Sequence, residues 1–295
     1  MKLLSKKAAI SLLEVIITVG VITVAGAGIF EILRTGVVLF GKNSSMNLSH
    51  NQARFGLLQL QQDMASAVST ADLTDTAGNI LQSGTAVGPA PGVTFQVYAG
   101  GPFCLYAGNA TAASSTTQTI LATATAVPVV TGTGFKPLSG EIICIQAQPM
   151  LNSVVTGTIS SVGNSTTTSG TTYYTPTLSG SLGTPIPIWD TVASQQLSVA
   201  CYFTAPVRYV VQNGTLMRYT LDPSSSGSMT GVALAYNISS SGTAPFYVPA
   251  VNSSNQGAFL QAQNFSAYDP SSNNRGYKGV TTPFTALFSQ LATQY

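Results

Sequence analysis

From Ala8 to Phe30 the chain carries a single charged side chain, Glu14, among residues that are otherwise apolar, small or hydroxylic. Twenty-odd such residues, each rising about 1.5 Å in a helix, cover a bilayer core of about 30 Å. Lys2, Lys6 and Lys7 precede the segment, so the N-terminus is expected to stay cytoplasmic and the rest to be exported. No proline occurs before Pro89, so no ring interrupts a helix over that length.

Three readings compete for the segment. The first is a plain single-pass anchor. The second is a secretory signal cut after Ala27, where "AGAG" offers small residues. The third gives Glu14 a role. A carboxylate in hydrocarbon costs a few kcal/mol and usually marks a partner. A secretory core normally carries no charge, and a plain anchor leaves Glu14 unexplained.

The stretch "KKAAISLLEV" resembles the leader of type IV pilins and type II secretion pseudopilins. Lys6 and Lys7 form its basic end, and Ala9 stands before the cut. Ile10, Ser11, Leu12, Leu13 and Glu14 follow in the family's order. The family more often has Gly before the cut and Phe after it. The resemblance implies that a prepilin peptidase removes residues 1–9 by cutting between Ala9 and Ile10. It also implies N-methylation of the new amine on Ile10. Glu14 of a neighbouring subunit would neutralise that amine, in a low dielectric that strengthens the attraction.

The helix is expected to continue past the bilayer. In "NLSHNQARFGLLQLQQDMASAV", Ala53, Leu57, Leu60, Met64 and Ala67 recur at alternating spacings of four and three, one face of a helix. Leu58 and Val68 widen that face. The polar run Gly41–Gln52 reads as a looser joint, with Gly36 and Gly41 allowing a bend. The expected organisation is a leader over 1–9, a spine helix over 10–70 with a transmembrane part at about 10–32, and an extracytoplasmic head over 71–295. "QARFGLLQLQQDMASA", with Arg54 and Asp63, is similar to the pattern in J-type minor pseudopilins and PilW-like minor pilins.

Beyond Thr70 the pattern changes to short β-branched and aromatic runs between glycine, proline and hydroxyl residues, the signature of a sheet-rich unit. "GVTFQVYAG", "GEIICIQAQ", "TGTISSVG" and "TTYYTPTL" are strand candidates. The clearest element is "VRYVVQNGTLMRYTL". Asn213-Gly214 between two β-rich runs predicts a hairpin with a type I′ turn. Its Leu216, Met217 and Arg218 also match a late hairpin of the J-type proteins. Two hydroxyl-rich stretches, 108–134 and 160–185, read as insertions. Phe284, Leu287, Phe288 and Leu291 fall at helical spacing, predicting a short C-terminal helix. The fold class is α+β: a long N-terminal helix packed on a β-rich head, which the resemblance makes pilin-like.

Charge and chemistry narrow the function. Only 7% of residues are charged, against about 25% in a typical soluble domain. The head offers Lys136, Arg208, Arg218, Arg275 and Lys278, too few to form a stripe for nucleic acid. His50 is the single histidine, and no pair of acids has the spacing of an acid–base or metal motif. Asp269 with Asn273 and Asn274 supplies oxygen ligands for calcium, but one carboxylate makes a turn the better reading. Cys104, Cys144 and Cys201 are odd in number, so one bridge or three thiols both fit.

These observations predict no enzyme, no cofactor and no metal. The resemblance implies a structural minor subunit in the bacterial inner membrane, assembled into the tip or initiation complex of a secretion pseudopilus or type IV pilus. Its partners would be other pilins or pseudopilins, the prepilin peptidase and the membrane, with no nucleic acid. The alternative is a minor pilin that works as an adhesin or a DNA-uptake subunit.

Overall fold

The apolar segment and its amphipathic continuation form one helix, α1, over Leu12–Ala65. Its 54 residues make it about 80 Å long. It runs unbroken through Gly41–Gln52, which corrects the expected joint. The polar side chains there leave the backbone ladder intact, and no proline removes a bond from it. The computed structural model describes residues 12–82, 89–106, 119–120, 122–132, 134–146, 154–168, 170–187, 189–190, 195–196, 199–224, 227–236, 238–239, 244–248, 259–268 and 281–289.

An antiparallel, sheet-rich head follows the helix, so the chain is α+β. Its main sheet has ten strands. They are β1 (Asp72–Thr74), β2 (Ile80–Gln82), β3 (Gly92–Leu105), β4 (Val129–Val130), β5 (Ile142–Gln146), β6 (Val155–Val162), β7 (Pro176–Leu178), β8 (Ala200–Gln212), β9 (Thr215–Leu221) and β10 (Met229–Tyr236). The long strands β3 and β8 pair along most of their length and form the sheet's spine. At one end β8 continues to β9 and β10, while β3 continues to β1 and β2. At the other end β8 pairs β5, followed by β6 and β7, while β3 pairs β4.

Each end has its own core. The first joins the helix residues Ala53, Leu60 and Met64 to Phe95, Tyr209 and Leu216 of the sheet. The second joins Ile143, Ile145, Ile159, Cys201 and Phe203. Alternate residues of β8, from Cys201 through Phe203, Val207 and Tyr209 to Val211, supply both cores, because side chains two apart share a face. The two stretches expected as insertions help close the second core with Val127, Val129, Leu178 and Leu182.

A second sheet contains β11 (Ile238–Ser239), β12 (Phe246–Tyr247), β13 (Phe259–Tyr268) and β14 (Thr281–Ser289). The helix packs against β3 and β10 of the main sheet and against β13 and β14 of the second. β14 replaces the expected C-terminal helix. Its residues pair antiparallel with β13, from Thr281 opposite Tyr268 to Ser289 opposite Phe259. A short apolar run fits both periods: Phe284, Ala286 and Phe288 also alternate. Three threonines raise its preference for a strand, and β13 supplies a full-length partner.

Candidate functional site

One helix near the N-terminus, over Leu12–Ser44, is long and apolar enough to cross a membrane. Its side chains face outward: Ile16, Val19, Ile22, Phe30 and Phe40 are all exposed. Hydroxyls in this stretch return to the backbone. Thr18 Oγ1 donates to the Glu14 carbonyl at 2.7 Å, and Thr23 Oγ1 to that of Val19 at 2.8 Å. Such bonds satisfy the hydroxyls without water, as a lipid setting requires. Glu31 and Arg34 face each other at 3.8 Å one turn apart. Glu14 lies in the first turn of the helix, with its side chain exposed. Ala9 and Ile10 lie outside the described residues.

The outer part of the helix is seated on the head. Ala53, Gly56, Leu60, Asp63 and Met64 are buried, Leu57 is half-buried, and Ala67 just past the helix end is buried too. Leu58, expected to widen this face, is exposed together with Phe55 and Leu48. Gly56 allows close approach: a Cβ there would lie 2.6 Å from Leu216 Cδ2. His50 is half-buried and Arg54 is exposed.

A carboxylate sits at the edge of this apolar face, near the end of the helix. Asp63 is only 7% exposed, a position that demands partners. Tyr209 Oη donates to its Oδ2 at 2.7 Å. Arg218 donates from Nε to Oδ2 at 2.7 Å and from Nη2 to Oδ1 at 3.2 Å, a bidentate pair. Gln59 Nε2, one turn back on the helix, donates to Oδ1 at 3.3 Å. Burial pushes the Tyr209 hydroxyl above its ordinary range, and the bond to Asp63 raises it further. Burial works against the Arg218 charge, but the bond and attraction to Asp63 outweigh it, so its pKa is raised.

The head's half of this site is built locally. Asn213 and Gly214 have φ of 50° and 71°, as a type I′ turn requires. Gln212 pairs with Thr215 across the turn, and this register places Tyr209 directly opposite Arg218. A slip of one residue would turn Arg218 to the other face of the sheet. The J-like patterns around Asp63 and Arg218, read separately in the sequence, therefore meet in one ion pair. Nothing local in the sequence could have joined them.

The remaining charges serve structure. Asp75 accepts from the backbone of Gly78 and Asn79 at 2.7 and 2.8 Å, and Asp222 accepts from Ser224 at 2.8 and 2.6 Å. The Asn79 side-chain amide, which donates to Asp75 at 2.7 Å, lowers that carboxyl most, and with the bonds above both carboxyls are held below their ordinary range. Arg208 donates to the Ala77 carbonyl at 2.7 Å and lies 4.4 Å over the Tyr219 ring. Glu141 is 3% exposed and accepts from the Leu138 amide at 2.9 Å. Burial pushes its carboxyl up to about 7, against the opposing effect of that bond.

Among the described residues, no three acids, cysteines or histidines come together to hold a metal. The calcium candidates Asp269, Asn273 and Asn274 lie outside them. The three cysteines are free thiols on the neighbouring strands β3, β5 and β8. Cys104 pairs with Ala200 and Cys144 with Tyr202, so both face away from Cys201. β8 separates the other two.

No family model, curated protein or solved structure matches the chain.

Proposed function

We infer that the chain is a structural subunit of a pilin-like filament, anchored in the bacterial inner membrane and not an enzyme. The observation that carries this reading is the helix itself. It presents an exposed apolar surface through Leu12–Ser44, and its outer part is fixed to a sheet-rich head through Asp63. The leader-like order from Lys6 to Glu14 supports the same reading. In it, a prepilin peptidase cuts between Ala9 and Ile10, and the new Ile10 amine is methylated. Glu14 of one subunit then meets the amine of another as the helices pack. Other pilins or pseudopilins are the partners, and the minor, J-type position follows from the patterns around Asp63 and Arg218.

Outside the membrane the apolar surface continues on the side of the helix away from the head, through Leu48, Phe55 and Leu58. A helix cannot leave such a stripe in water without loss, and a neighbouring helix covers it at low entropic cost. DNA uptake is disfavoured, because Arg218 is held by Asp63 and Arg208 by Ala77 and Tyr219.

Mass analysis of the mature chain tests the reading. It expects a mature start at Ile10 with one added methyl group. A start at Gly28, or an uncleaved Met1, overturns it.

A further inference from the structure

The buried face of the outer helix is poor in shape. Ala53 and Gly56 offer almost no side chain, and the Met64 thioether is adaptable. Such a face, with only Leu60 and the half-buried Leu57 as branched knobs, does little to hold one rotation or one axial position against a sheet. Asp63 is different. Asp63 follows Gly56 by seven residues and Leu60 by three, so the carboxylate lies along one edge of the buried seam. Its demands are directional: three side chains donate to it, two from the head.

We propose that Asp63 is a register key. It fixes the rotation and the height of the helix on the head, and thereby selects the side carrying Leu48, Phe55 and Leu58 as the one left outward. A turn of one residue moves the carboxylate about 100° off the Tyr209–Arg218 slot, and a slide of one helical turn moves it about 5 Å. Either change leaves a buried carboxylate and a partly buried guanidinium without each other. Apolar contacts alone would penalise either change far less. A polar group in an otherwise apolar helix seam sets register in this way at some expense of stability. Under the assembly reading, the selected side is the one another copy's helix meets. The key itself is a property of the single chain.

The test uses the full chain in detergent micelles, with Cys104→Ser to remove the exposed native thiol. Single reporter cysteines replace Ala53, on the buried face, and Leu58, on the outward face. With Asp63 intact, the Ala53→Cys reporter should react with a polar maleimide at least about tenfold more slowly than the Leu58→Cys reporter, since it reacts only on local opening. The decisive background is Asp63→Leu, Tyr209→Phe and Arg218→Met together. It removes the key without stranding a charge, so stability is expected to be kept or raised. If the proposal holds, this background melts cooperatively yet labels the two positions within about threefold of each other. A cooperative melt with the original contrast retained overturns it, since apolar packing would then set the register. Should the triple variant fail to fold, Asp63→Asn decides. It keeps an acceptor for Tyr209 but loses the ion pair. It is expected to narrow the contrast, and an unchanged contrast again overturns the proposal. Neither result depends on whether the chain enters a filament.

Discussion

Asp63 on the spine helix and Arg218 on the Asn-Gly hairpin, 155 residues apart in the chain, meet at 2.7 Å inside an apolar interface. Tyr209, the cross-strand partner of Arg218, completes the site. This is where the long N-terminal helix is tied to the sheet-rich head. Removing the carboxylate leaves a partly buried guanidinium and a buried hydroxyl without their acceptor. Asp63→Ala is therefore expected to cost about 2–4 kcal/mol, at the lower end because Arg218 keeps some contact with water. Urea melts of the two proteins measure it, and a difference below the scatter of the method would contradict it.

Glu141 makes stability depend on pH. Its carboxyl is raised from an ordinary 4.5 to about 7 in the folded head, so the folded state holds a proton there that the unfolded chain has lost. Between those values the folded state binds more protons, so stability must fall as pH rises. The contribution is full below about 4.5 and gone above about 7, and amounts to about 1–3 kcal/mol. Glu141→Gln, which cannot ionise, should flatten the melting temperature across that window. A slope unchanged in the variant would assign the effect to another group.

Close approach at Gly56 predicts a steric penalty. A β-branched side chain there meets Leu216, which is buried and cannot swing aside freely. Gly56→Val is expected to destabilise by about 1–3 kcal/mol, despite valine's better helix propensity. Thermal melts of the full chain in micelles report it.

The thiols should divide by environment. Cys104 is exposed, whereas burial pushes Cys201 up to about 12 and raises Cys144. Since the thiolate is the reactive form, a maleimide should modify Cys104 alone in the native protein and all three after unfolding. Native labelling of Cys201 would show the second core to be open.

For Glu14 the assembly reading predicts a separation of two steps. Glu14→Ala should leave the leader cut in place, because the cut lies before Ile10, yet block incorporation into a filament. Normal incorporation of that variant would remove the role assigned to the carboxylate.

How much of this was legible in the chain depended on the range of the interaction. The apolar span, the long helix and the hairpin are written in neighbouring residues: an uncharged run, a repeat of three and four, and Asn-Gly between β-rich segments. Given a two-residue turn, even the Tyr209–Arg218 pairing follows by counting outward. The C-terminal strand did not follow. Nine residues fit either period, and a partner strand more than a dozen residues away decided between them. Likewise the sequence placed Asp63 in a helical pattern but named no partner for it. Only folding brought it to Arg218, because a buried carboxylate is tolerated only where the tertiary structure has already placed its donors. Local periodicity thus determined the long helix and the hairpin, whereas long-range pairing determined the C-terminal strand and which face of the helix is left outward.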